Sequence, residues 1–267
     1  MLNPEYIPSW LREAGRLALR YFRQVEPAIK DNKTYVTEAD LAVQAFLKEK
    51  IDAHYPTVGI LAEENGLAQK PKAGDTYLVL DPIDGTASFV AGLPVWGIAL
   101  GVIEGKTPAA GYFYLPITGD LYHAHVDGPV CRNGVATQLK PFERGHREST
   151  LLAMSRVHQK FKISPDFPGK VRSLGSTIAH ICYVATGSAD AALIDDVHLW
   201  DLAAGLAILY RNGGVARYLD GTEFSVTDDL LAGNGLDSPL LLGQERSIAY
   251  FSGQINVIKL TKGLVGH

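Results

Sequence analysis

Apolar residues recur at helical spacing near the start of the chain: Ile7, Trp10, Leu11, Ala14, Leu17, Ala18, Tyr21, Phe22 and Val25 share one face. Arg12, Glu13, Arg16, Arg20 and Arg23 occupy much of the other. Asn3 suits a cap, Pro4 the first helical position, and Pro27 ends the pattern. Residues 30–36 are polar and read as a turn or hairpin. A second helix is predicted from Thr37, where Thr-Glu-Ala-Asp resembles a capping box with Asp40 in place of the usual Glu. Leu41, Val43, Phe46, Leu47 and Ile51 supply its buried side, and Pro56 lies beyond its end.

From Val58 the pattern becomes strand-like. Residues 58–64, 77–84, 96–105, 108–117 and 120–126 are short β-rich runs punctuated by Gly, Pro and Asp. Gly85 to Phe89 opens a short helix between two of them. The first half, 1–137, therefore reads as two helices on a mostly antiparallel sheet. In the second half, 138–267, strands are expected at 149–155, 189–194, 215–219 and 238–243. Helices are expected at 176–186, stopped by Gly187, and from Trp200 to Arg211, stopped by Asn212-Gly213-Gly214. That alternation indicates an α/β arrangement. Without repeats or a long linker, the 267 residues are expected to form a single compact unit with two layered halves.

Composition narrows the function. Hydrophobic residues make up 46% and charged residues 20%, as in an ordinary globular protein, and the net charge of −4 offers no broad basic surface for nucleic acid. No signal peptide and no membrane-spanning run is read. Cys131 and Cys182 match neither a zinc spacing nor a disulfide framework, so two thiols in a reducing cytoplasm are expected.

The chemistry concentrates in acidic stretches. Four apolar residues, Tyr77 to Leu80, deliver Asp81 to the end of a strand. Pro82 bars a ladder hydrogen bond and is expected to force the chain out of the sheet, so that Asp84 returns to face the same point. Gly85 permits close approach of a backbone N–H, and Thr86 adds a hydroxyl at a helix start that favours phosphate. The same D-P-x-D-G residues also suit a turn, but a carboxylate ending a buried strand needs a partner, and a metal is a natural one. Glu63 and Glu64 end another apolar run before Asn65. If they continue a strand they face opposite sides. Asp201 stands at the start of a strongly apolar helix, where it can cap and also point outward. Asp40 has its capping-box role or a place in the set. Oxygen ligands without clustered Cys or His indicate a hard divalent cation such as magnesium rather than zinc. Two such ions can activate a water and stabilise a leaving oxygen.

At these residues the chain resembles the inositol monophosphatase family. Val36-Thr37-Glu38-Ala39-Asp40, Ala62-Glu63-Glu64, Asp81-Pro82-Ile83-Asp84-Gly85-Thr86, Arg172 to Ser176, Ala185 to Ala191 and Trp200-Asp201 with Ala203-Ala204-Gly205 match its motifs in order. The resemblance implies a layered αβαβα sandwich of the α+β class, usually a homodimer, that hydrolyses a small phosphomonoester with two to three Mg2+ ions. It implies Glu63, Asp81 and the Ile83 carbonyl at one ion, Asp81, Asp84 and Asp201 at a second, and a weaker third near Glu63. Asp40 and Thr86 would polarise the attacking water with Glu64 in support, and the N–H groups of Gly85 and Thr86 would bind phosphate. Attack would be in line, with no phosphoenzyme.

Family members act on inositol phosphates, fructose 1,6-bisphosphate, histidinol phosphate or a nucleotide phosphate. Ala87-Ser88 lacks the Lys-Glu frequent in the nucleotide phosphatases and the Arg usual in histidinol-phosphate phosphatases, although residues 92–97 resemble the latter. In the inositol phosphatases a glutamate seven positions before the last motif Asp contacts the ring. Here Ile194 stands there, and a one-residue shift would let Asp195 take that role. Ser176 and His198 are further candidates for substrate contact. A helix cap and packing beside Trp200 are their respective alternatives, as a solvated hairpin is for Lys30 and Lys33 and core packing is for Trp96. A non-catalytic or moonlighting binding protein on the same scaffold is the competing class, and a calcium-binding module is disfavoured because no D-x-D-x-D-G loop is present.

Overall fold

The structure is a computed structural model describing residues 5–29, 35–64, 66–67, 75–143 and 145–258. Asn3, Pro4, Lys30, Lys33 and Asn65 lie outside the described residues. The first helix, α1 (Ile7–Leu19), lacks a side-chain cap at Tyr6 and ends earlier than its apolar period suggests. Arg23 adopts a left-handed backbone (φ 62°) that breaks the helical path. This turn sets Phe22 against Phe89 and Trp96, at ring separations of 5.4 and 5.5 Å, while Arg23 Nη2 donates to the Gly92 carbonyl at 3.0 Å. Burial of these rings outweighs one more helical turn. Trp96 is a core residue, edge-on to Phe89.

Strands β1 (Ala28–Ile29) and β2 (Tyr35–Val36) pair antiparallel as the arms of the expected hairpin. Helix α2 (Glu38–His54) starts with the full capping box: the Thr37 side chain accepts from Ala39 N, and Asp40 accepts from Thr37 N. There follow β3 (Gly59–Ala62), β4 (Gly66–Leu67), β5 (Thr76–Asp84), the short α3 (Thr86–Val90), β6 (Gly97–Glu104), β7 (Thr107–Leu115), β8 (Asp120–Ala124), β9 (Cys131–Arg132) and β10 (Val135–Ala136). They form an eight-stranded sheet in the order β10-β9-β8-β7-β6-β5-β3-β4, antiparallel except where β3 runs beside β5.

The second half holds β11 (Thr150–Ala153), α4 (Val157–Lys160), β12 (Phe161–Ile163), β13 (Lys170–Arg172), α5 (Thr177–Ala185), β14 (Ala191–Ile194), α6 (Ala203–Arg211), β15 (Val215–Tyr218), α7 (Asp228–Leu231), β16 (Leu240–Gly243), α8 (Glu245–Ser252) and β17 (Ile255–Val257). Its five-stranded sheet, β13-β11-β14-β16-β15, is mixed rather than parallel, because β16 pairs antiparallel with both neighbours. Leu240, Leu241 and Leu242 are all buried, covered on one face by α5 and on the other by α8.

The layers run α1/α2, large sheet, α5/α6, small sheet, α8, which is an αβαβα sandwich of the α+β class. Three apolar clusters fill the gaps between them. Helix α6 lies unusually close to the large sheet. A Cβ on Gly101 would sit 2.7 Å from Ala203 Cβ, and one on Gly111 would collide with the Ala204 carbonyl oxygen. Ala203-Ala204 facing two sheet glycines is the physical reason this stretch carries such small residues.

Candidate active site

The end of β5 departs from the expected exit. Asp81 pairs with Ala99 and Asp84 with Gly97, so three steps on β5 meet two on β6. The chain stays in the sheet through a bulge. In a regular strand, residues three apart face opposite sides, and the extra residue turns Asp84 back to the side of Asp81. Asp201 reaches the same point from the second half: single oxygens of Asp81, Asp84 and Asp201 all lie within 4.8 Å of one another.

Asp81 is buried, and its Oδ1 has no hydrogen-bond partner. Burial first, then the charges of Glu63, Asp84, Asp201 and Asp40, push its pKa well above the ordinary carboxylate value. Glu63 N donates to the Leu80 carbonyl at 3.2 Å, which continues the ladder one residue past β3 and brings the Glu63 charge beside Asp81. Glu63 and Glu64 thus follow β3 in a turn, not as alternating strand positions. Glu64 is buried and adds its charge to Asp40. Gln44, a buried polar residue of α2 outside every motif above, grips the Glu64 backbone from both sides: its Oε1 accepts from Glu64 N at 3.0 Å and its Nε2 donates to the Glu64 carbonyl.

Asp84 is held by the other half of the molecule. It accepts from Thr177 N at 3.0 Å, from Ile178 N at 2.8 Å and from Ser176 Oγ. Ser176 Oγ in turn accepts from Ala179 N at 3.1 Å, so this serine caps α5 and anchors Asp84 with one hydroxyl. Burial nevertheless wins over these bonds and raises Asp84 to about 6. The cap was legible in the sequence. Its carboxylate client, 92 residues away, was not.

Asp40 closes the capping box with one oxygen and faces Thr86 with the other. Its Oδ2 accepts from Thr37 N and Oγ1 at 2.8 and 2.6 Å, closing the capping box. Its Oδ1 lies 3.2 Å from Thr86 Oγ1, which is also 3.0 Å from the Ile83 carbonyl. Burial raises the Asp40 pKa despite the Thr37 bonds. Gly85 is left-handed (φ 94°), and a Cβ there would sit 2.6 Å from the Gly175 carbonyl oxygen. Both its conformation and its neighbour therefore require glycine.

Two expectations are corrected. Asp201 does not cap a helix: α6 begins at Ala203 after Leu202, and Asp201 Oδ2 instead accepts from His198 N at 2.7 Å. The His198 ring stacks on Trp200 at 4.5 Å, which is packing rather than a wall of the adjoining cavity. That cavity, about 250 Å³, is lined by Asp201, Ser176, Ser155, Ser173 and Asp195 among others. His180 also lines it. Burial lowers this ring to about 4, and its Nε2 accepts from Leu174 N at 2.9 Å, so it is neutral.

An all-oxygen donor set with an orphaned buried carboxylate oxygen fits a hard divalent cation. A stability consequence follows. Asp40, Asp81 and Asp84 bind protons more tightly folded than unfolded, so without a cation the folded state loses stability as pH rises above the ordinary carboxylate range, for Asp84 through about 6. The chelated protein is expected to melt lower at about pH 8 than at about pH 5, at roughly 2–4 °C per kcal/mol, and saturating magnesium to remove most of the difference. A Tm rising with pH in chelator would contradict this.

The sequence profile of the inositol monophosphatase family matches residues 8–251. The chain is 33% identical over 215 residues to an inositol-1-monophosphatase of Mycolicibacterium smegmatis, covering 74% of each. It is 29% identical over 240 residues to the fructose-1,6-bisphosphatase/inositol-1-monophosphatase of Thermotoga maritima, covering 85% of this chain and 89% of that one. The solved structure of the SuhB protein of Bartonella henselae superposes with a TM-score of 0.78 at 20% identity, over 97% of this chain and 98% of that one.

Proposed function

The chain belongs to the inositol monophosphatase family and is a phosphoric monoester hydrolase; from that premise we propose that it acts on a small polyol or sugar phosphate with Mg2+, two to three ions per site. The observation that carries the metal is Asp81 Oδ1, buried without a partner among the charges of Glu63, Asp84, Asp201 and Asp40. Asp81, Asp84 and Asp201 would hold one ion, Glu63, Asp81 and the Ile83 carbonyl another, with a weaker third near Glu63. When bound, the ions supply the Lewis acidity that activates a water and stabilises the leaving oxygen.

The chain's own groups do the rest. Asp40 Oδ1 and the Thr86 hydroxyl form the proton path beside the ion site, because Thr37 fixes the other Asp40 oxygen. Glu64 supports Asp40 through its charge. The N–H groups of Gly85 and Thr86 face the phosphate, and Asp195 takes the alcohol. The names of the two relatives support inositol monophosphate and fructose 1,6-bisphosphate as substrates. A homodimer belongs to the same proposal, as does a cytoplasmic location suited to the free Cys131 and Cys182. No described helix is long and apolar enough to cross a membrane.

The test is phosphate release from inositol 1-phosphate, fructose 1,6-bisphosphate and histidinol phosphate, compared by kcat/KM with and without chelator. Inositol 1-phosphate is expected to lead, and chelation to stop turnover until magnesium is restored. Release undiminished by chelator would defeat the metal assignment.

A further inference from the structure

The wall of the cavity facing the carboxylate cluster carries an ion pair that none of the matched motifs includes. Strand β14 ends at Ile194, whose side chain is buried and apolar and offers nothing to a hydroxyl. The next residue, Asp195, lines the cavity. Asp196 then adopts a left-handed conformation (φ 62°), uncommon for any residue but glycine. The Val197 carbonyl accepts from Leu236 N at 2.7 Å, fixing the far side of this turn. The turn leaves the Asp195 side chain only 11% exposed.

A carboxylate withdrawn this far from water needs a partner. Lys160, at the end of α4, supplies it: Nζ lies 2.7 Å from Asp195 Oδ2 and 3.5 Å from Asp196 Oδ2. The hydrogen bond to Asp195 holds the lysine above its ordinary range, so it stays charged at neutral pH. Lys160 engages Oδ2 and leaves Oδ1 for a ligand in the cavity.

We propose that Lys160 is a positioning residue for substrate choice: it clamps Asp195 Oδ2 so that Oδ1 accepts a hydrogen bond from a hydroxyl on the alcohol half of the ester. The inference rests on the phosphatase reading above and deepens it. The preferred substrates are phosphate esters of polyols or sugars, over esters whose alcohol bears no further hydroxyl. Lys160 touches neither phosphate nor ion. It acts by keeping one buried acceptor oriented, which preorganises the site.

The experiment compares kcat/KM for inositol 1-phosphate with kcat/KM for p-nitrophenyl phosphate, which has no hydroxyl to offer. Their ratio is independent of the fraction of enzyme that is folded. In Lys160→Met the ratio is expected to fall about tenfold or more, the scale of one charge-assisted hydrogen bond, mainly through KM. Lys160→Arg should recover most of it, and Lys160→Met added to Asp195→Asn should lower it little further. Lys160 is 43% exposed, so its replacement is not expected to unfold the protein. An unchanged ratio in Lys160→Met, or full additivity with Asp195→Asn, would overturn the clamp. Wild-type release from the aryl ester alone would overturn the clamp and leave the phosphatase reading standing. Release from neither ester would overturn both.

Discussion

Asp81→Asn is expected to lose magnesium-dependent phosphate release by about 10³-fold or more, while its metal-free form melts higher than metal-free wild type. The first effect exceeds the ~10²–10³ that loss of a single oxyanion donor costs, because Asp81 stands between the two proposed ion positions and one substitution weakens both. The second comes from electrostatics. The wild-type carboxylate is buried with one oxygen unpartnered and four other acids acting on it. At about pH 8 it must either carry its charge against that field or hold a proton that water would remove. An amide of nearly the same shape carries no charge. Activity and stability therefore move in opposite directions, and an ordinary packing defect would lower both. Full activity in the variant would remove Asp81 from the metal site. A lower metal-free Tm would show that repulsion among these acids is not what the cation relieves.

The parts of this site legible in the sequence are those whose local pattern carries the reason for their placement. Four apolar residues ahead of Asp81 place it in a buried strand, although that strand runs on to Asp84. The Thr37–Asp40 box reads directly as a helix start. Ser176 before an apolar helix reads as a cap, and it is one. What stayed hidden is what depends on two remote segments meeting. The capping hydroxyl of Ser176 and the N–H groups of Thr177 and Ile178 hold Asp84 across the boundary between the halves. The Gln44 side chain braces Glu64 from a neighbouring helix. Pro82 suggested an exit from the sheet, whereas pairing on both sides of it keeps the strand in place and converts the disruption into a bulge. Asp201 looked like a helix cap because acid-before-apolar is the usual cap pattern, but its oxygen is spent on His198 N one turn earlier. The long apolar period of α1 misled in the same way: Phe22 is partly buried by stacking on Phe89 after the helix has ended.

Gly111→Ala is expected to cost about 3 kcal/mol of stability and to lower activity about 10²-fold, though Gly111 lies on β7, outside the acidic motifs. A methyl group at this position would collide with the Ala204 carbonyl oxygen, a backbone atom that no rotamer change can move aside. Helix α6 has no room to retreat. On its far side a Cβ at Gly205 would already stand 2.9 Å from Ile181 Cδ1 of α5, and Gly101 presses on Ala203 from the sheet. The added methyl group must therefore tilt or slide the first turn of α6, and Asp201 stands two residues before that turn. A shift of about 1 Å is enough to remove a ligand from a site proposed to hold magnesium, an ion that demands near-ideal octahedral geometry. The loss should accordingly be partly recovered by raising magnesium, as a weakened ion site would be, and the Tm deficit should shrink with it. Wild-type Tm and activity in Gly111→Ala would mean that the helix is not wedged as described. A large Tm loss with unchanged magnesium dependence would mean that Asp201 is positioned by its bond to His198 N rather than by the seating of α6 on the sheet.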